Sequence, residues 1–181
     1  MASMLLELKL DRAFGHLDVN RNGHIDHDDI TRLATRLADG FGESTASPKG
    51  QALVDGLEEF WTSLVAAVDH DGDGSITPKE WQAGMITAFV EPEAGFDQGF
   101  QPAAEAIMGL ADTDDDGAVA FDEFKTLLKA FGAPAKDAKA AFEHLDADGD
   151  GSLTVEELVL AARQYYTGTQ PAAGDWLFGK V

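Results

Sequence analysis

Four twelve-residue segments of this chain, at residues 18–29, 69–80, 112–123 and 146–157, share one pattern of oxygen-bearing side chains. Each opens with Asp and carries Asp or Asn at its third and fifth positions. Each has Gly at the sixth, Ile, Val or Leu at the eighth, and a carboxylate at the twelfth. Oxygen donors at alternate positions of a short loop curl around a hard cation, and a ligand set of six to eight oxygens suits calcium. Glycine at the sixth position permits the positive φ that the sharp turn needs and that a Cβ opposes. The candidate ligands of the first segment are Asp18, Asn20, Asn22, Asp26 and Asp29, with His24 offering its backbone carbonyl. The second offers Asp69, Asp71, Asp73 and Glu80 with the carbonyl of Ser75; the third, Asp112, Asp114, Asp116 and Glu123 with that of Ala118. The fourth offers Asp146, Asp148, Asp150 and Glu157 with the carbonyl of Ser152.

The four segments are not equivalent. Like charges about 4 Å apart repel by roughly 1 kcal/mol in water and about 4 kcal/mol at an effective dielectric of 20. A loop of four carboxylates is therefore strained when empty, and a divalent ion turns that repulsion into attraction, which couples binding to folding. The second and fourth segments are the fullest. The third has the same charge but Ala120 at position nine, so water must supply that ligand. The first departs most: Asn20 and Asn22 are neutral, Arg21 lies inside the loop, and Asp29 at position twelve is one methylene shorter than Glu. Bidentate reach is harder for it. It is expected to bind calcium more weakly, or to carry magnesium, whose preferred geometry is octahedral.

These segments require helices on both sides. Apolar residues recur at helical spacing before each one: Leu6, Leu10, Phe14 and Leu17; Leu53, Leu57, Phe60, Leu64 and Val68; Ala103, Ile107, Leu110 and Ala111; Ala138, Ala141, Phe142 and Leu145. They recur after each one as well: Ile30, Leu33, Leu37 and Phe41; Trp81, Met85 and Phe89; Phe121, Phe124, Leu128 and Phe131; Leu158, Ala161 and Tyr165. Helix–loop–helix around an acidic loop is the EF-hand. Dockerin modules use the same loop without a proper entering helix, so the entering stripes argue against them. The apolar eighth residues predict two short ladders, Ile25 with Ile76 and Val119 with Leu153. Thr77-Pro78-Lys79-Glu80 and Thr154-Val155-Glu156-Glu157 read as capping boxes. Their Glu is also wanted by the metal and can serve the cap when no ion is bound. Ala120 leaves the third exiting helix without a side-chain cap. The expected fold is all-α: four EF-hands in two pairs, about eight main helices, with minimal β ladders between paired loops.

The formal charge of −20 argues against nucleic acid and anionic membrane surfaces, which would repel the chain. With no Cys there is neither disulfide nor thiolate site. No signal peptide, lipidation signal or transmembrane span is read at the N-terminus, and the expected location is cytoplasmic. The five histidines, His16, His24, His27, His70 and His144, show no spacing suited to zinc or to nucleophilic catalysis. No phosphate-cradling Gly motif is present. The chain is expected not to be an enzyme, and to be a monomer.

The loop starts lie 51, 43 and 34 residues apart. A turn-rich insertion fills residues 39–50, and residues 90–95 mark an expected boundary between an N-terminal pair of hands (1–91) and a C-terminal pair (92–181). From Leu6 to Tyr166 this uneven spacing resembles the sarcoplasmic calcium-binding proteins, including those of the calerythrin type. The resemblance implies two EF-hand pairs packed face to face and a role in buffering or carrying calcium. Family members usually have one degenerate hand, the second in calerythrin. Here the second loop is among the fullest, so up to four ions are expected. The same fold serves coelenterazine photoproteins, which line a cavity with Trp, Tyr and His. Trp61, Trp81, Trp176, Tyr165 and Tyr166 are the residues available for one, although core packing is the favoured reading. A calcium sensor would open a Met-rich groove for a protein target. This chain has four Met, of which only Met85 and Met108 are expected to fall in hand helices. Near the C-terminus, Trp176, Leu177 and Phe178 form an apolar cluster expected to fill a groove between the hands. A calcium buffer is favoured over a sensor acting on an unidentified partner.

Overall fold

The apolar stripes become eight α-helices in a computed structural model that describes residues 4–90 and 95–167, the side chains of 89, 90, 95–98 and 167 excepted. The first hand is α1 (Met4–Leu17), the two-residue strand β1 (Ile25–Asp26) and α2 (His27–Gly40). The second is α3 (Pro48–Val68), β2 (Ser75–Ile76) and α4 (Pro78–Met85), which continues as a π-helical turn (Ile86–Val90). The third is α5 (Gly95–Ala111), β3 (Val119–Ala120) and α6 (Phe121–Phe131). The fourth is α7 (Ala138–Leu145), β4 (Ser152–Leu153) and α8 (Val155–Thr167). The expected tail contact of Trp176, Leu177 and Phe178, and most of the expected pair boundary, lie outside the described residues.

Both predicted ladders form. Ile25 pairs with Ile76, and Val119 with Leu153, each antiparallel. All four side chains are buried, so every ladder is sealed by its own aliphatic pair. The helix stripes meet in one core that draws on all four hands, including Leu10, Leu37, Leu57, Trp81, Ala104, Leu110, Phe124 and Tyr165. Met85 and Met108 belong to it.

Two aromatic hydrogen bonds lock α1 into this core. Trp81 Nε1 donates to the Leu10 carbonyl at 2.8 Å, and Tyr165 Oη donates to the Lys9 carbonyl at 2.9 Å. One comes from the second hand and one from the fourth. A buried indole or phenol must place its polar hydrogen, and adjacent carbonyls of α1 accept both. The Lys9 ammonium lies 5.7 Å from the centre of the Tyr165 ring.

The halves approach closely where side chains are smallest. At Gly56 in α3, a Cβ would stand 2.5 Å from the Ala106 Cβ and 2.8 Å from the Pro102 carbonyl of α5. At Gly40, a Cβ would stand 2.7 Å from the Ala130 Cβ of α6. Beside that contact Arg36 Nη2 donates to the Phe131 carbonyl at 3.2 Å. The C-terminal turns of α2 are thus held against the third hand.

Candidate metal centres

Each acidic segment is a loop wound by its own carboxylates. The first-position Asp accepts from the sixth-position glycine N–H in all four: Asp18 from Gly23 at 3.0 Å, Asp69 from Gly74 at 3.0 Å, Asp112 from Gly117 at 2.9 Å, and Asp146 from Gly151 at 3.0 Å. Those glycines have φ between 82° and 89°. No heavy atom crowds a Cβ there, so backbone conformation alone selects Gly. The fifth-position side chain accepts from the seventh N–H: Asn22 from His24, Asp73 from Ser75, Asp116 from Ala118, and Asp150 from Ser152. These Asx turns fix one oxygen of each side chain on the backbone.

Sequence reasoning missed the fourth position. It too is left-handed in every loop: φ is 60° at Arg21, 73° at Gly72, 58° at Asp115 and 72° at Gly149. The signal was the first Gly of the Asp-x-Asp-Gly-Asp-Gly runs in loops two and four, Gly72 and Gly149. Arg21 and Asp115 hide it in the other two, where an L-residue bears the strain.

The twelfth carboxylate bridges the two ends of its loop. Glu80 accepts from His70 N at 3.3 Å with one oxygen and from Thr77 N at 3.0 Å with the other. Glu123 does the same with Thr113 N at 2.7 Å and Ala120 N at 2.9 Å, and Glu157 with Ala147 N at 2.9 Å and Thr154 N at 3.0 Å. The capping boxes form at Thr77 and Thr154, whose hydroxyls accept from the N–H groups of Glu80 and Glu157. The Ala120 methyl cannot accept a hydrogen bond to complete the third, and only the Glu123 half of the box is made. The Thr77 amide and then its hydroxyl hold the Glu80 carboxyl below its usual range.

Asp29 solves the same problem with a shorter arm. It accepts from Asn20 N at 2.9 Å and Asp26 N at 3.1 Å, so it reaches the third residue of the loop instead of the second. Asp26 caps α2 in return, accepting from Asp29 N. Asp29 is fully buried and Asp18 nearly so, whereas Glu80, Glu123 and Glu157 are half-buried. Burial raises the Asp29 pKa despite the two N–H donors.

Three groups of carboxylates converge among the described residues, with their oxygens within 4.8 Å of one another: Asp69, Asp71 and Asp73; Asp112, Asp114 and Glu123; Asp146, Asp148 and Glu157. They fall in the second, third and fourth loops. Glu80, Asp116 and Asp150 stand outside these groups, and the first loop forms none. Lost solvation and then the charges of Asp116, Glu123 and Asp112 push the Asp114 pKa up. Clustered oxygens with no nitrogen or sulfur donor suit a hard divalent cation. Of the histidines, His24, His27, His70 and His144 are exposed and His16 is half-buried.

Comparison with known proteins agrees with this geometry. The EF-hand family model matches residues 10–34, 66–86 and 138–160, and the EF-hand domain pair model matches 104–130. A Streptomyces coelicolor calcium-binding protein is 36% identical with a TM-score of 0.81, over 90% of this chain and 98% of that one. Calerythrin of Saccharopolyspora erythraea is 27% identical over 93% of this chain and 96% of its own length. The sarcoplasmic calcium-binding protein of amphioxus, 20% identical, shares the fold along the whole of both chains with a TM-score of 0.82. Four wound acidic loops, two aliphatic ladders and these relatives place the chain in the EF-hand calcium-binding proteins, among those of the calerythrin and sarcoplasmic type.

Proposed function

We propose that this protein is a cytoplasmic, monomeric calcium buffer or carrier. Calcium is held by the side chains of Asp69, Asp71, Asp73 and Glu80, of Asp112, Asp114, Asp116 and Glu123, and of Asp146, Asp148, Asp150 and Glu157. The carbonyls of Ser75, Ala118 and Ser152 complete these loops. The first loop, with Asp18, Asn20, Asn22, Asp26, Asp29 and the His24 carbonyl, takes a fourth ion weakly or takes magnesium. No enzymatic step is assigned to any residue.

The observation that carries the buffer reading is the shared core. The apolar faces of all four hands are spent on one another, Met85 and Met108 are buried, and α1 is tied by Trp81 and Tyr165. A sensor would have to break these contacts on binding calcium to free such faces for a target. A sensor is the second reading, favoured by the Streptomyces coelicolor relative, which is described in terms of prokaryotic calcium-mediated regulation. A photoprotein-like ligand finds little support. The apolar space bounded by Phe60, Leu64, Trp81, Met85 and Tyr166 holds about 10 Å³, room for one water at most and far too little for a chromophore. Binding of a hydrophobic dye with and without calcium, alongside calcium stoichiometry, separates the first two readings. Dye bound only by the metal-free protein supports the buffer, and dye taken up on calcium loading supports the sensor.

A further inference from the structure

Lys49 belongs to the second hand but touches the third loop. It is the second residue of α3, after the Ser47 cap and Pro48. Its ammonium donates to the carbonyl of Asp112 and pairs with Asp115 Oδ1 at 2.8 Å. A cation in the first turn of a helix opposes the helix dipole, so the position is unfavourable on local grounds. Its compensation comes from across the molecule, in a loop of four carboxylates plus Asp115. The approach is well defined. Gly40 fits against Ala130, Arg36 holds the Phe131 carbonyl, and at Gly50 a Cβ would overlap the Ser44 carbonyl at 1.9 Å. These contacts fix the corner from which Lys49 projects. No such lysine contact with the second or fourth loop occurs among the described residues.

We propose that Lys49 is an intramolecular brake on the third metal loop: a fixed positive charge from the N-terminal hands that lowers calcium affinity there relative to the second and fourth loops. The proposal rests on the third loop being a calcium site. Asp112 supplies its first ligand through the side chain and meets Lys49 through the carbonyl, while Asp115, at position four, is not a ligand position. Lys49 therefore occupies no coordination place and acts through charge. A divalent ion entering the loop feels that charge at twice the strength of a monovalent one. In solvent-exposed surroundings at low salt the repulsion corresponds to about three- to tenfold in affinity. The brake makes the third site the one most sensitive to ionic strength, and ties its filling to the seating of α3 on the third hand.

The test is a calcium titration followed by NMR at the loop-glycine amides, Gly117 for the third site and Gly74 and Gly151 for the second and fourth. Lys49→Met is expected to tighten the third site about three- to tenfold at low ionic strength, with the other two changed by less than about twofold. The difference should shrink as salt rises. Lys49→Arg, which keeps the charge, should titrate like wild type. In the metal-free protein, Lys49→Met should quicken amide exchange at Asp115 and Asp116, which reports the contact independently of the ion. Third-site affinity that is unchanged or weaker in Lys49→Met would overturn the proposal. So would equal changes at all three sites, or an Arg variant that behaves like Met. If Gly117 in the wild-type protein shows no response to calcium, the third loop is not a calcium site and the brake falls with it.

Discussion

The loops are governed residue by residue, and the twelfth position shows how. A Glu there spans the loop to the second residue, whereas Asp29 spans only to the third, at Asn20. Shortening Glu80 to Asp should convert the second loop toward the first. Calcium affinity at Gly74 is expected to fall about tenfold or more, about 1.4 kcal/mol, with the preference moving toward magnesium. Competitive titration with both ions checks this, and unchanged calcium affinity would contradict it. The fourth position offers a second test. Arg21 sits at φ 60°, where an L-residue costs roughly 1–2 kcal/mol. Arg21→Gly should relieve part of that, offset by the entropy Gly adds to the unfolded chain. A net gain of about 0.5–1 kcal/mol is expected in chemical unfolding of the metal-free protein. The four acidic loops and the sixth-position Gly were legible in the sequence because oxygen-rich spacing and a positive φ each demand a narrow choice of residue type. The fourth-position strain was not, because Arg21 and Asp115 carry it without any compositional mark.

Elements pack closely where glycine allows it, and two glycines separate packing from propensity. Gly56 faces the Ala106 Cβ and the Pro102 carbonyl, and a backbone oxygen cannot turn aside. Gly56→Val should therefore push α3 from α5 and destabilise the protein by about 1–3 kcal/mol, read as a lower unfolding midpoint with calcium present. Gly15, inside α1, has no heavy atom within 4 Å of its notional Cβ. Gly15→Ala should stabilise by about 0.5–1 kcal/mol through helix propensity alone. Equal effects of the two substitutions would refute the close α3–α5 contact. Helix positions and both ladders were readable from period and from the aliphatic eighth residues, since each follows from local burial. The π-helical turn after Met85 was not, because no residue in Ile86–Val90 breaks the helical pattern. Nor was the reach of Trp81 and Tyr165 to neighbouring carbonyls of α1, which joins residues 71 and 156 positions apart.

At the scale of the whole molecule, charge and core pull in opposite directions. A net −20 concentrated in loops works against compaction, and a core drawn from all four hands works for it. Calcium is the term that decides between them, because it binds the folded loops and finds no assembled site in the unfolded chain. An ion at 100 times its dissociation constant adds about 2.7 kcal/mol per site. Three loops occupied at that level would contribute about 8 kcal/mol, as much as the whole stability of many domains. Chelation is expected to lower the unfolding midpoint by about 15–30 °C for a chain of this length, and magnesium alone to restore only a minor part. Differential scanning calorimetry in calcium, in chelator and in magnesium measures all three states. Because the hands share one core, the calcium-loaded transition should be single. Two separate transitions in calcium would mean that the hands fold independently and that the contacts of Gly56, Arg36 and Lys49 do not bind the halves together.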